Sequence, residues 1–102
     1  MPSTMVVHFS PVDAAAEPAL LEFFRTVHFA EVLAAVPEIE QYFFTKDLTS
    51  IDGVPRFTTI YSAPTLDAAA LAARMDEASL TPSPVLAVEP PLTPARHISD
   101  AI

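Results

Sequence analysis

Residues 19–44 read ALLEFFRTVHFAEVLAAVPEIEQYFF, and their interpretation decides the fold. The stretch from Ala19 to Val36 contains no helix breaker and stops at Pro37. Pro18 suits a first helical turn and Asp13 can cap the segment that leads into it, so a helix is predicted here. Beyond Pro37 the composition changes. The text EIEQYFFTKDL is rich in aromatic and β-branched residues and predicts a strand from Ile39. A second run of the same kind, PRFTTIYSA, starts at Pro55, and Asp52-Gly53 lies between the two. Such a dipeptide between strand-like runs predicts a hairpin.

Outward from this centre, MVVHFS from Met5 to Ser10 predicts a first strand ended by Pro11. After the hairpin, Thr65 is the expected cap of a second helix, LDAAALAARMDEAS, with Leu66, Ala69, Ala70 and Ala73 at helical spacing. Small residues on that stripe suggest close packing on a sheet. Five of the eleven prolines fall between Pro82 and Pro94, so only short extended pieces fit there. Val85 to Val88 is the expected fourth strand. Pro90 to Ile102 is expected to be a tail that packs on a partner or closes a cavity mouth, because Pro90, Pro91 and Pro94 remove ladder donors. The order β-α-β-β-α-β predicts an α+β, ferredoxin-like fold, with both helices on one face of a four-stranded antiparallel sheet. At 102 residues the chain is expected to be a single domain over 1–102.

Composition narrows the partners. Hydrophobic residues make up 51% and charged residues 18%, with a mean hydropathy of +0.37, which excludes general disorder. Thirteen acids against five bases give a formal charge of −8, which repels phosphate backbones and anionic lipid, so neither nucleic acid nor a membrane surface is an expected partner. The absence of cysteine excludes disulfides, thiolate catalysis and iron–sulfur clusters and fits a reducing, cytoplasmic setting. No apolar run reaches the length of a membrane span, and the N-terminus has no basic segment followed by an apolar core, so neither a spanning helix nor a signal peptide is expected. One glycine, Gly53, leaves no Gly-rich phosphate loop. No metal is expected either, since the three histidines are scattered and neither HxH nor HExxH occurs.

Both alternating sets in the strands are largely apolar or aromatic: Val7 and Phe9 against Val6, Ile39 and Phe43 against Tyr42 and Phe44, Phe57 against Ile60. A sheet wetted on one side would alternate apolar with charged residues. The chain has no third layer of its own, so the simplest cover is the same sheet from a second copy. A homodimer with facing sheets, a dimeric α+β barrel, is the expectation.

The order of elements and the string Phe23-Phe24-Arg25-Thr26-Val27-His28-Phe29-Ala30-Glu31-Val32-Leu33-Ala34-Ala35-Val36-Pro37, followed by Ile39 and Tyr42, resemble the dimeric α+β barrel superfamily, most nearly its EthD-like branch. In that branch a histidine late in the first helix precedes a proline at the helix end, and the next strand carries an aromatic residue. The glycine usual after the proline is Glu38 here, and the chain has no tryptophan. Related barrels include cofactor-independent anthrone monooxygenases, polyketide cyclases, lactone isomerases and haem-binding enzymes, and fold membership does not choose among them.

Several side chains are candidates for chemistry. On a helical wheel, Leu20, Phe24 and Val27 form a buried stripe, and His28 and Glu31 fall inside the apolar arc, three residues apart on one face. The carboxylate could orient the imidazole and raise its basicity. Against this stands a change of helical phase: Phe29, Val32, Leu33 and Val36 form a second stripe that would turn His28 to solvent. Tyr42 shares a strand face with Phe44, and Tyr61 shares one with Phe57, so either phenol could enter a cavity for a flat ligand. His8, mid-strand, faces either helices or lumen. Arg56 is the best-placed of the five cations to anchor a carboxylate or phenolate. His97 lies in the tail.

These residues are compatible with three functions. The first is a small cofactor-independent enzyme, of cyclase, isomerase or monooxygenase type, that acts by acid–base chemistry on an apolar, aromatic or polyketide-like molecule. His28, Tyr42 and Glu31 would be its catalytic groups, and Phe24, His8, Phe44, Arg56 and Tyr61 would line its binding surface. The second is a binding module with the same cavity and no chemistry. The third is a dimerisation domain whose lumen is filled by side chains.

Overall fold

The computed structural model of the chain describes residues 2–102. Four strands, β1 (Ser3–Phe9), β2 (Gln41–Lys46), β3 (Phe57–Ala63) and β4 (Ala95–Asp100), form one sheet. Their order is β2-β3-β1-β4 and all pairs are antiparallel. This is the ferredoxin-like α+β arrangement that the order of elements predicts.

The helix between β1 and β2 is continuous from Glu17 to Ala35 but changes its winding. An α-helical segment α1 (Glu17–Phe23) and a second one α2 (Phe29–Ala35) flank a π turn at Phe24–His28, where the Phe29 N–H donates to the Phe24 carbonyl. Asp13 caps the preceding 3-10 turn, its Oδ1 accepting from Ala16 N at 2.9 Å, and Pro18 occupies the first turn of α1. The residues buried along this helix are Leu20, Phe24, Phe29, Val32 and Val36. The step from Phe24 to Phe29 is five residues where an α-helix needs three or four to return to the same face. The π turn absorbs the extra residue, and the two apolar stripes of the sequence become one buried seam.

The second helix, α3 (Ala68–Glu77), begins later than expected and is capped by Asp67 instead of Thr65. Asp67 immediately precedes the helix, and its Oδ1 accepts from Ala70 N at 2.7 Å. Asp100 at the end of β4 accepts from Ala68 N at 2.6 Å, so two carboxylates sit at the positive end of α3.

The largest departure concerns the fourth strand. Val85 to Val88 is not a sheet strand: it crosses the end of β1 as a strap, with Val12 N donating to Val85 O and Ala87 N to Ser10 O, each at 2.9 Å. Prolines crowd it on both sides, and Pro11 opposite it has no N–H to extend a ladder. The strand is instead Ala95–Asp100, inside the segment expected to be a tail. Every proline of that segment precedes Ala95, so the stretch that pairs with β1, from His8↔Ala95 to Ser3↔Asp100, keeps all its donors. Arg56 fixes the approach to β4: its guanidinium donates to Leu92 O at 3.2 Å, Thr93 O at 3.1 Å and Ser10 Oγ at 3.3 Å.

The registers assign every strand residue to one of two faces. Met5, Phe9, Phe57, Tyr61 and Ala63 join Leu20, Phe24, Phe29, Val32, Val36 and Leu71 of the helices in one buried cluster. Among the described residues no helix covers the opposite face. Its side chains form three rows across the sheet: Gln41, Ser62, Thr4 and Ser99; then Phe43, Ile60, Val6 and His97; then Thr45, Thr58, His8 and Ala95.

Candidate functional site

The alternation of β1 and β3 sends the candidate residues to different faces. Phe24, His28, Phe44, Tyr42 and Tyr61 gather on the helix side. There Phe9 stacks on Phe24 at 4.3 Å between centroids, Phe24 on Phe44 at 5.5 Å, and Phe29 on Tyr42 at 4.6 Å. The His28 ring lies 4.3 Å from Phe24. These rings fill the space between helix and sheet. Burial pushes the Tyr61 phenol up to about 12, so it stays protonated at neutral pH. Burial likewise lowers the His28 imidazole, and the Glu31 charge offsets this only in part. Among the described residues, no hydrogen bond joins His28 to Glu31 or Tyr42. The Glu31 carboxylate is taken by Thr81, accepting from its N–H at 2.8 Å and its hydroxyl at 2.6 Å, which ties the segment after α3 to α2.

Two surface hollows lie outside this packed space, the first reaching Phe44 at its edge. A cleft of about 180 Å³ at the end of β2 is lined by Leu21, Phe44 and Phe57 with Glu17, Arg25 and Lys46 at its rim, and Lys46 Nζ is 3.0 Å from Glu17 Oε1. A groove of about 380 Å³ runs along the strap between Val12, Leu86, Val88 and Leu92. Neither holds His28, Tyr42, Tyr61 or His8. Arg56, spent on three backbone and hydroxyl acceptors, lines neither.

The open face carries a different kind of chemistry. His8 Nδ1 lies 2.8 Å from Thr58 Oγ1, and Thr58 Oγ1 lies 2.7 Å from Asp47 Oδ1. Thr58 is 7% exposed, so this hydroxyl depends on protein partners. A carboxylate only accepts, so the single hydroxyl proton goes to Asp47 and His8 Nδ1 is left to donate to Thr58. In the neutral ring the bare nitrogen is then Nε2. Among the described residues that nitrogen has no protein partner, and it is not sealed from solvent. His97 stands on the same face, diagonal to His8 on the neighbouring strand.

Thr58, Asp47 and the placement of His97 were not legible from residue types alone. A signal for the first two lay in the turn. Asp52 and Gly53 both have positive φ, 53° and 76°, and close a tight turn bridged by Ile51 and Val54. Counting outward from that turn sets Asp47 opposite Thr58. The chain on the β2 side carries two extra residues, so Thr45 takes that backbone position and the Asp47 carboxylate reaches Thr58 from the end of the strand.

No protein-family model and no curated protein matches this chain. Two solved structures share its fold. One is a dimeric ferredoxin-like protein of unknown function from Thermobifida fusca YX, 17% identical with a TM-score of 0.56; the alignment covers 98% of this chain and 92% of that one. The other is a dimeric ferredoxin-like protein from an uncultured marine organism, 10% identical with a TM-score of 0.57 and the same coverage. The ferredoxin-like fold is therefore common to all three. Among the described residues no helix is long and apolar enough to cross a membrane, and no group of three or more metal-capable side chains occurs.

Proposed function

We propose that the chain acts as a homodimer that brings two open sheet faces together and encloses between them a cavity for a small apolar or aromatic molecule. One observation carries the reading. Phe43, Ile60 and Val6 form an apolar row across the face that no described element of the chain covers, and Phe43 is 53% exposed. Facing sheets pack about 10 Å apart, which lets one such row meet its copy while the polar rows beside it keep room for a ligand. Thr4, Ser62, Ser99, Gln41 and His8 would supply the few polar contacts that orient a ligand in such a cavity. The two solved relatives of this fold are both described as dimeric, and the string Phe23–Pro37 resembles the EthD-like branch of dimeric barrels. A chain without cysteine suits the cytoplasm.

Sedimentation equilibrium at micromolar concentration tests the assembly. The wild type is expected at twice the chain mass and Phe43→Asp at the chain mass, because a charge in the apolar row faces its own copy across the two-fold axis. A monomeric wild type, or a Phe43→Asp variant that remains dimeric, would contradict the reading.

A further inference from the structure

We propose that His8 is a general base, held with its proton on Nδ1 by a Thr58–Asp47 relay, and that its bare Nε2 removes an acidic carbon-bound proton from a small molecule held over the polar Thr45–Thr58–His8–Ala95 row, beside the Phe43–Ile60–Val6 row. The inference rests on the paired-face cavity for the substrate's position, but the relay lies wholly within one chain.

The geometry supplies each part. The relay has two short links, 2.8 Å and 2.7 Å, and its direction is fixed by the one group that cannot donate, Asp47. Histidine in water favours neither ring nitrogen strongly, so a hydrogen bond at one nitrogen selects the function of the other. Thr58 and Asp47 are thus positioning residues and His8 is the reacting group. The base stands one row from the apolar strip, since His8 and Val6 are alternate residues of β1. A flat body held over the His8 row, with one apolar edge against Ile60 and Val6, would lie within reach of Nε2.

This arrangement selects a chemical class of substrate. A C–H next to a carbonyl gives its proton to Nε2 and its electron pair forms an enolate, to which the imidazolium returns the proton at another atom. Where the C–H lies beside a ring nitrogen that bears an oxygen leaving group, the pair instead forms the new in-plane C–N bond as the N–O bond breaks; the oxygen leaves as an anion and the imidazolium gives its proton to it or to water. No oxidant, reductant or metal enters this balance, so the reaction class is isomerisation or elimination.

Two measurements test the proposal. Long-range proton–nitrogen NMR on histidine-labelled protein at about pH 9, well above the ordinary imidazole pKa of about 6.5, reads the tautomer directly. The expected result is His8 with a protonated Nδ1 and bare Nε2, reverting in Thr58→Val to a ring no longer held in that form. The second uses 5-nitrobenzisoxazole, in which loss of the C3 proton to a base breaks the ring N–O bond and releases a coloured phenolate. Wild type is expected to exceed free imidazole at equal concentration, with His8→Gln slower by at least about tenfold, the small end for loss of a proton-transfer group. Thr58→Val and Asp47→Asn are expected to fall between the two. A bare Nδ1 in the wild type, a wild-type rate no better than imidazole, or a His8→Gln rate equal to wild type would overturn the base. Sedimentation of the same samples separates the two claims. A monomer that keeps the Nδ1–H form overturns the cavity and the proposed substrate position, whereas a dimer without that form overturns the relay.

Discussion

The two faces of one sheet are built from the same strands and differ in almost every physical respect. On the helix side Phe9, Tyr61, Met5 and Phe57 are 1–2% exposed, and rings from the π turn and α2 pack on Phe9 and Tyr61. On the open side an apolar row lies between two polar rows, and the polar atoms are joined in a directed chain instead of being excluded. Adjacent residues in a strand belong to opposite faces, so Phe43 and Phe44 are neighbours in sequence with nothing else in common. Aromatic residues thus serve two ends here: they make the core on one side, and on the other a single exposed ring marks where the core stops.

That contrast can be broken most sharply at Phe43 and Phe44. Phe44→Asp forces a charge among Phe9, Phe24, Phe29 and Phe57. Phe44 is partly buried, so losing its ring costs less than the loss of a fully buried one, about 3–5 kcal/mol, and the carboxylate adds a desolvation cost. Urea titration should find the midpoint of this variant strongly lowered. Phe43→Asp should keep a cooperative transition, since its side chain contributes little to the single chain's own core. If the two variants unfolded alike, the assignment of faces would be wrong.

A smaller effect comes from protons. Tyr61 is held neutral on the helix side with its pKa raised from 10.0 to about 12. Between those values the unfolded chain has lost the proton that the folded chain keeps, so stability should fall as pH rises from about 10 towards 12. His28 is lowered by burial, so the unfolded chain binds a proton more readily and stability should also fall as pH drops below about 6.5. Thermal melts across pH should be flattened at the alkaline end by Tyr61→Phe and at the acid end by His28→Gln. A His28→Gln variant with an unchanged acid limb would show that this partly buried ring is not held neutral by its surroundings.

The fold was legible because its main signals are local. Pro18 and Pro37 bracket the first helix and Asp52-Gly53 closes the hairpin, but which face of β1 and β3 meets the helices was not legible, because both alternating sets are largely apolar. The fourth strand was hidden because proline density, the cue applied to the whole C-terminal segment, stops at Pro94, and Arg-His-Ile-Ser carries little strand composition. The helical phase change was visible as two stripes, but its resolution needed the five-residue step at Phe24. The candidate site was less legible. His8 was seen and its partners were not, because Thr58 meets it through the long-range β1–β3 register, which no local signal sets, and Asp47 joins only through Thr58. Attention fell on His28 and Glu31 because they are three apart on a helix, yet Thr81, distant in sequence, claims the carboxylate.

The central claim is that the open face of the sheet is the surface on which two copies meet. Isotope-filtered NOE spectroscopy on a dimer mixed from carbon-13-labelled and unlabelled chains reads that surface directly, because only contacts between copies survive the filter. The account predicts intermolecular NOEs from the Val6 and Ile60 methyl groups to a ring of the other copy, with Phe43 the source. NOEs confined to Val12, Leu86 and Val88 in the strap groove, with none at Val6 or Ile60, would contradict it.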